Sequence, residues 1–139
     1  MKIISWNING IRSNIICEGT IKKNFVYEEL INSNLKELID KHNPDIICFQ
    51  ETKCSEEIGQ RILPNDSLYP YKFWNESNGE GRRGSGYSGT SIWCKEKPIE
   101  IKYEFNDFKD TSGRFIFLEF EAFSLINMYC PNSGGNLDY

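Results

Sequence analysis

Two short, nearly continuous apolar runs constrain the fold of this chain more than any other feature. They read KIISWNI at residues 2–8 and DIICFQE at residues 45–51. Runs of this length are typical of strands buried on both faces. Between them, apolar side chains recur at helical spacing, and Asn43-Pro44 supplies a stop. Strand, helix and strand in this order favour pairing within one sheet. The helical spacing is carried by Tyr27, Leu30, Ile31, Leu35, Leu38 and Ile39.

The second half of the chain predicts a succession of strands. Short Gly, Pro, Asn or Asp turns separate them, which is typical of antiparallel hairpins. In RFIFLEF both alternating sets of side chains are apolar, so both faces of that sheet need cover. Residues 52–69 predict a loop with a helical turn in SEEIGQRIL. The fold class is therefore α/β with β dominating, in a single domain over residues 1–139. The predicted strands are YKFW, TSIWCK, IEIKYEF, RFIFLEFEAF and SLINMYC.

The stretch GSGYSG at residues 84–89 matches the G-x-G-x-x-G pattern of dinucleotide-binding loops. In such a loop the pattern follows a strand and opens a helix, whose N-terminus holds a pyrophosphate. Here a polar run precedes the pattern and TSIWCK, which predicts a strand, follows it. The stretch is therefore interpreted as a glycine-rich turn that leads into a strand.

Composition excludes several classes of function. A net charge of −4 and a pI near 5.1 give no general affinity for nucleic acid, so any DNA contact has to be local. No apolar run is long enough to cross a bilayer and no signal-peptide pattern is visible, so we expect no membrane partner and a cytoplasmic location, or a nuclear one in a eukaryote. The five cysteines form no C-x-x-C pair and predict mostly buried free thiols. The single histidine, His42, is expected to be a surface residue or a cation near the end of the helix.

Polar side chains stand where three of the apolar strands end. Asn7 closes the first strand, Glu51 the second, and Tyr129 with Asn132 the last. Ligand sites in such sheets gather at the carboxyl ends of strands. A carboxylate beside an amide is a pair of hard oxygen donors that suits Mg²⁺. Position alone leaves a second interpretation open, in which these are ordinary solvent-exposed strand ends.

Five ordered blocks of the sequence together span nearly the entire chain. They are SWNINGIRS (5–13), PDIICFQETKCSE (44–56), GYSGTSIW (86–93), GRFIFLEF (113–120) and NMYCPNSG (127–134). In this order they resemble the opening motifs of the exonuclease III family of abasic-site DNA endonucleases. The resemblance implies an endonuclease/exonuclease/phosphatase-like α/β sandwich, of which this chain supplies mainly the first β-sheet and its helices. It also implies that GYSG is a loop entering a strand beside bound DNA.

The resemblance also implies roles for individual residues. Glu51 is similar to the family's principal metal carboxylate, Asn7 to its companion amide, and Tyr129 to the active-site tyrosine. The implied cofactor is Mg²⁺, with Mn²⁺ as an alternative. Asn9 stands where some relatives carry an acid, so its help at the metal is not implied. For Tyr129 the alternative is a core aromatic, and for the cations it is a solvated surface. The implied DNA contacts are Arg12, Lys53, Gly86, Tyr87, Arg114 and Asn132.

The implied reaction is Mg²⁺-dependent hydrolysis of the phosphodiester 5′ to an abasic site in double-stranded DNA, with 3′-to-5′ exonuclease or 3′-end trimming as additional activities. The family's Gly-Asp-x-Asn and Ser-Asp-His motifs do not occur in these 139 residues. We therefore expect an apolar sheet face that a carboxy-terminal half or a partner chain covers, and weak catalysis by the isolated chain. Two alternatives stay open: an inactive truncated paralogue that binds damaged DNA or a partner chain, and another metal-dependent phosphodiesterase of the same fold.

Overall fold

The computed structural model describes residues 1–15, 33–64, 68–79, 87–106 and 109–132. All seven strands expected from the sequence are present, and the helical turn expected in SEEIGQRIL is α2. Strand β5 is shorter than predicted and ends at Lys102. In chain order the elements are β1 (Ile3–Asn7), a 3-10 helix (Ile11–Asn14), α1 (Asn34–His42), β2 (Ile46–Gln50), α2 (Glu56–Gly59), β3 (Tyr71–Asn75), β4 (Thr90–Cys94), β5 (Glu100–Lys102), β6 (Phe115–Glu119) and β7 (Ser124–Met128).

The first sheet has four strands in the order β1-β2-β4-β3. Strands β1 and β2 are parallel, and their register places Asn7 opposite Gln50. The other two pairs in this sheet are antiparallel. Because β1 and β2 run the same way, their carboxyl ends lie side by side at one edge of the sheet, where the chain leaves the core.

The second sheet has three antiparallel strands in the order β5-β6-β7. It packs against one face of the first sheet, because Ile46 and Ile92 of the first sheet share a buried cluster with Ile116 and Leu118 of β6. The α/β sandwich is thus confirmed, but the chain does more than supply the first sheet. Strands β5 to β7 alternate apolar side chains on two faces, and only a separate sheet brings one of these faces onto the first sheet.

Helix α1 covers the opposite face of the first sheet. Its buried residues Leu35 and Ile39 belong to the cluster that contains Phe49 and Trp93. The helix begins later than the spacing from Tyr27 predicted. Ser33 is extended and its side chain accepts a hydrogen bond from the backbone N–H of Lys36, which caps the helix at that point. Residues 16–32, which carry the first part of the predicted pattern, lie outside the described residues.

The outer face of the second sheet keeps large apolar side chains in contact with water. Ile126 and Met128 are 52% and 57% exposed. This agrees with the expectation of an apolar sheet face that needs cover, although the face belongs to the second sheet. A partner chain or a carboxy-terminal half as the cover remains a prediction.

Smaller expectations from composition can also be compared with the structure. Cys48, Cys54 and Cys94 are buried free thiols and Cys130 is exposed. Burial raises the pKa of Cys48 to about 12 and that of Cys54 to about 11. His42 is exposed in the last turn of α1, as predicted. Within the described parts of the chain, no helix combines the length and apolar character that a membrane crossing requires.

Candidate active site

The carboxyl ends of β1 and β2 bring an amide and a carboxylate together. Asn7 is the last residue of β1, and Glu51 follows the last residue of β2. The side-chain Nδ2 of Asn7 donates a hydrogen bond of 2.8 Å to Oε1 of Glu51. The Oδ1 of Asn7 in turn accepts a 3.2 Å hydrogen bond from the backbone N–H of Asn9. The amide is therefore fixed at both ends, and it holds one oxygen of the carboxylate.

The backbone after β2 is held from two sides by other loops. On one side, the N–H groups of Gly10 and Ile11 donate to the carbonyl oxygens of Glu51 and Thr52, at 2.7 and 3.0 Å. On the other side, the N–H groups of Thr52 and Lys53 donate to the carbonyl oxygens of residues 89 and 88, at 3.0 and 2.9 Å. We call residues 51–53, held in this way, the carboxylate cradle.

The cradle stabilises an unusual backbone conformation. Glu51 and Lys53 have φ angles of 52° and 48°, in the left-handed region that costs a side-chain-bearing residue roughly 1–3 kcal/mol. The four backbone hydrogen bonds of the cradle offset this cost. The conformation turns the chain sharply at the strand end, so that Glu51 and Lys53 project to the same side and meet.

Lys53 contacts the second carboxylate oxygen of Glu51. Its Nζ lies 3.3 Å from Oε2 of Glu51 and also donates a hydrogen bond to Oδ1 of Asn9. Both partners of the ion pair are largely shielded, because their side chains are 34% and 19% exposed. The ammonium therefore sits between a carboxylate oxygen and an amide oxygen.

Tyr129 approaches the same carboxylate from the second sheet. It follows the last residue of β7, and its backbone N–H donates to the carbonyl of Arg114 at 2.8 Å. Its phenol hydrogen-bonds to Glu51 and also contacts Tyr87. Because the phenol touches Glu51, the side chains around this carboxylate come from both sheets of the sandwich.

The contacts of Glu51 set its protonation. The hydrogen bond from Asn7 lowers the pKa of the Glu51 carboxyl below its usual range, and the contacts of Tyr129 and Lys53 lower it further against an opposing effect of burial. For Tyr129, burial is the largest cause of the raised pKa of the phenol, and the nearby Glu51 carboxylate raises it further. At neutral pH the pair is thus a charged carboxylate that accepts from a neutral phenol.

Arg114 is held by its backbone. The carboxylate of Asp110 accepts hydrogen bonds from the N–H groups of Arg114 and Phe115, and from the side-chain amide of Asn75 at 3.0 Å. Within the described residues the buried Nε of Arg114 has no hydrogen-bond partner. Asp110 was not selected from the sequence, since a lone acid in a predicted turn carries no signal of its role.

The structure brings some of the remaining predicted residues to this edge. Arg12 lies in the 3-10 helix that directly follows the Gly10 side of the cradle. Asn132 is exposed three positions beyond Tyr129. Gly86 lies outside the described residues. The turn before β4 is described from Tyr87 onward, and Gly89 at φ 86° leads directly into the strand, so the interpretation of GSGYSG as a turn entering a strand is confirmed for that part.

The chain has three layers, which are helix α1, the first sheet and the second sheet, and polar side chains gather at the strand ends. This architecture defines an α/β sandwich protein. Within that class, the profile of the Endonuclease/Exonuclease/phosphatase family matches residues 4–137. The chain therefore belongs to this family.

Individual relatives agree with the motif resemblance. The chain is 34% identical over 138 residues to the DNA repair nuclease APEX1 of Danio rerio, covering 99% of this chain and 38% of that protein. It is 36% identical over 139 residues to an exodeoxyribonuclease of Bacillus subtilis, covering 99% of this chain and 46% of the relative. The chain thus spans less than half the length of these two relatives. Both names agree with the resemblance of the sequence motifs to the abasic endonucleases.

A solved structure supports the fold. The structure of a 3′ phosphatase from Neisseria bound to a product DNA hairpin superposes with a TM-score of 0.63 at 20% identity. The match covers 96% of this chain and 42% of that one. At this identity the match supports the sandwich architecture alone.

Proposed function

We propose that this chain carries part of the active site of a DNA repair nuclease that hydrolyses the phosphodiester 5′ to an abasic site. One observation carries the proposal: polar groups from three separate segments contact the carboxylate of Glu51. They belong to Asn7, Lys53 and Tyr129. A partly shielded carboxylate of lowered pKa at a strand end is suited to a role in binding and catalysis.

A divalent metal fits the donors of this cluster. No three His, Cys, Asp or Glu side chains gather in the described portion of the chain in a way that could hold a metal ion. Mg²⁺ does not require such a group, since it commonly takes one or two carboxylates and keeps several waters. Glu51 and the amide oxygen of Asn7 would hold Mg²⁺, or Mn²⁺ in its place. The bound metal would neutralise charge that develops on the phosphoryl oxygens.

The other side chains would bind and orient the DNA. The neutral phenol of Tyr129 is a donor for a phosphate oxygen once the substrate replaces its contact with Glu51. Lys53, Arg12 and Arg114 offer cations for neighbouring phosphates. The remaining proposed DNA contacts are Gly86, Tyr87 and Asn132.

Abasic specificity is supported by the motif resemblance and by simple energetics. A sugar without a base is extruded from the duplex at low cost, because no stacking or pairing is lost. A second activity, processing of 3′ ends, is favoured by the name of one relative, an exodeoxyribonuclease. Both reactions cleave phosphate esters of DNA and would use the same carboxylate.

The test is a single-turnover assay with protein in excess over a labelled duplex that contains one tetrahydrofuran abasic analogue. We expect Mg²⁺-dependent incision on the 5′ side of the analogue, and at least about tenfold slower incision by Glu51→Gln, in line with the usual cost of removing a metal or transition-state contact. A duplex with a 3′-phosphate at a nick measures end processing in parallel. Glu121→Gln, at an exposed position in the turn after β6, is the matched control and should keep the wild-type rate.

Three results would contradict the proposal. Incision that is equally fast in wild type and Glu51→Gln would remove Glu51 from the site. Absence of incision together with equal binding of abasic DNA by the two proteins would favour a non-catalytic DNA-binding protein. Faster cleavage of inositol phosphates or sphingomyelin than of abasic DNA would move the chain to another branch of the fold.

A further inference from the structure

A partly buried amide network involves residues that stand close in sequence to Glu51 and Tyr129. Asn127, on β7, is only 2% exposed and sits between the two sheets. Its Nδ2 donates to the carbonyl oxygens of Phe49 and Ser91, at 2.9 and 3.0 Å. Its Oδ1 accepts a 2.6 Å hydrogen bond from Nε2 of Gln50. One side chain of the second sheet thus bonds to two strands of the first.

The network extends to the first strand of the sheet through Gln50. The same Nε2 of Gln50 donates to Oγ of Ser5 at 3.0 Å. Through Ser5, Gln50 and Asn127, polar side chains connect strands β1, β2 and β7. The Asn127 amide also reaches β4 through its bond to Ser91.

The position of this network in the sequence links it to the site. Gln50 immediately precedes Glu51, and Asn127, on β7, stands two residues before Tyr129, which follows the end of that strand. The amide contact between Gln50 and Asn127 is therefore linked through short stretches of backbone to both partners of the contact between the carboxylate and the phenol. Packing alone would favour an apolar residue at position 127, since neighbouring positions in this layer hold Ile116 and Leu118.

We infer that Asn127 is a positioning residue that sets the separation of Glu51 and Tyr129 by tying β7 to the end of β2. This inference rests on the proposed function, because Glu51 and Tyr129 are its working groups. An apolar contact between sheets is non-directional, whereas the bonds of Asn127 fix the register and distance of the two strand ends. The side chain acts on the end of β2 through its bonds to the carbonyl of Phe49 and to the side chain of Gln50, and its burial keeps it away from metal and DNA.

The test compares Asn127→Leu and Gln50→Met with Ile116→Val. Asn127→Leu keeps the branched shape of the side chain and removes all three bonds of Asn127. Gln50→Met leaves the two carbonyl bonds of Asn127 in place and is the safer variant for folding. Ile116→Val trims the same inter-sheet layer without touching a polar group and is the control.

The first measurement is amide hydrogen exchange, which requires no nuclease activity. The N–H groups of Gly10, Ile11 and Thr52 report on the carboxylate cradle, and that of Asn43, bonded to Ile39 at 2.7 Å, reports on helix α1. We expect both network variants to speed exchange in the cradle at least about tenfold more than at Asn43. In the control, any increase should be equal at both places. Equal increases in the network variants would overturn the inference.

The second measurement is the dissociation constant for Mn²⁺, from the electron paramagnetic resonance of the free ion. Loss of a partner that orients a metal ligand typically weakens metal binding about 10- to 100-fold, and we expect the network variants to fall in this range and Ile116→Val to stay within about twofold. Unchanged Mn²⁺ binding in both network variants, with wild-type binding that depends on Glu51, would also overturn the inference. If Glu51→Gln binds Mn²⁺ as well as wild type does, the proposed function fails, and the exchange data alone decide the role of Asn127.

Discussion

The amide of Asn7 and the carboxylate of Glu51 form a 2.8 Å hydrogen bond between positions 44 residues apart in the chain. The bond exists because β1 and β2 are parallel and end together. It is the largest single cause of the lowered pKa of Glu51. The parallel pairing of β1 and β2 thus influences the protonation of Glu51 through one side-chain contact.

Acid unfolding should report the charged state of Glu51. Because its pKa in the folded protein lies below the ordinary value of 4.5, the carboxylate stabilises the fold above that value, and this stabilisation is lost as the pH falls through the lowered pKa. Compared with Glu51→Gln, the wild type should therefore gain free energy of unfolding between these two pH values as the pH rises. Urea unfolding at a series of pH values measures this gain. The control is Glu57→Gln, at a surface ion pair, which measures the change in free energy of unfolding when one exposed charge is lost. If the free energies of wild type and Glu51→Gln change in parallel with pH, the prediction is contradicted.

Tyr129→Phe should separate chemistry from folding. The change removes only the phenol oxygen, which bonds to Glu51 at a partly exposed position, so the free energy of unfolding should fall by no more than about 1 kcal/mol. Incision of abasic DNA should slow about 10- to 100-fold, because a donor to the phosphate is lost. Single-turnover rates and urea unfolding measure the two effects. Tyr71→Phe, on β3, is the control, and an unchanged rate in Tyr129→Phe would remove the phenol from the mechanism.

Gly89→Ala should damage the cradle by sterics. Gly89 has φ 86°, and a methyl group there would lie 2.4 Å from Oγ1 of Thr52, which is buried. We expect a loss of about 2–4 kcal/mol in the free energy of unfolding, from strain and overpacking together. Gly10→Ala is a matched control, since its φ is also positive, at 105°, but its methyl group would come no closer than 3.6 Å to Oγ of Ser13. Equal losses in both variants would mean that backbone strain alone explains the effect.

Lys53→Met should weaken DNA binding in a salt-dependent way. If Lys53 contacts one phosphate, the slope of log K against log salt should become shallower by about one. Fluorescence anisotropy with a labelled duplex at several salt concentrations measures the slope. Lys36→Met removes a cation that pairs with Asp40 on helix α1 and should leave the slope unchanged. A uniform slope in all three proteins would place Lys53 outside the DNA contact.

The sequence predicted the elements and the convergence of Asn7, Glu51 and Tyr129, because strand composition and motif resemblance are local properties. It did not predict where helix α1 begins, because the cap at Ser33 overrides an apolar spacing that continues on both sides. Nor did it predict the left-handed backbone of Glu51 and Lys53, which depends on bonds from loops that are distant in sequence. Asn127 stood within an apolar strand, and only the packing of two sheets shows what that polar residue bonds to.

The carboxylate cradle also determines which changes the chain tolerates. Its bonds join backbone N–H and carbonyl groups, so no side chain in the loops at residues 8–11 and 88–89 supplies any of them. The number of residues is not free to vary, because one inserted or deleted residue would shift every donor away from its acceptor. Along these loops, length is therefore constrained independently of side-chain identity.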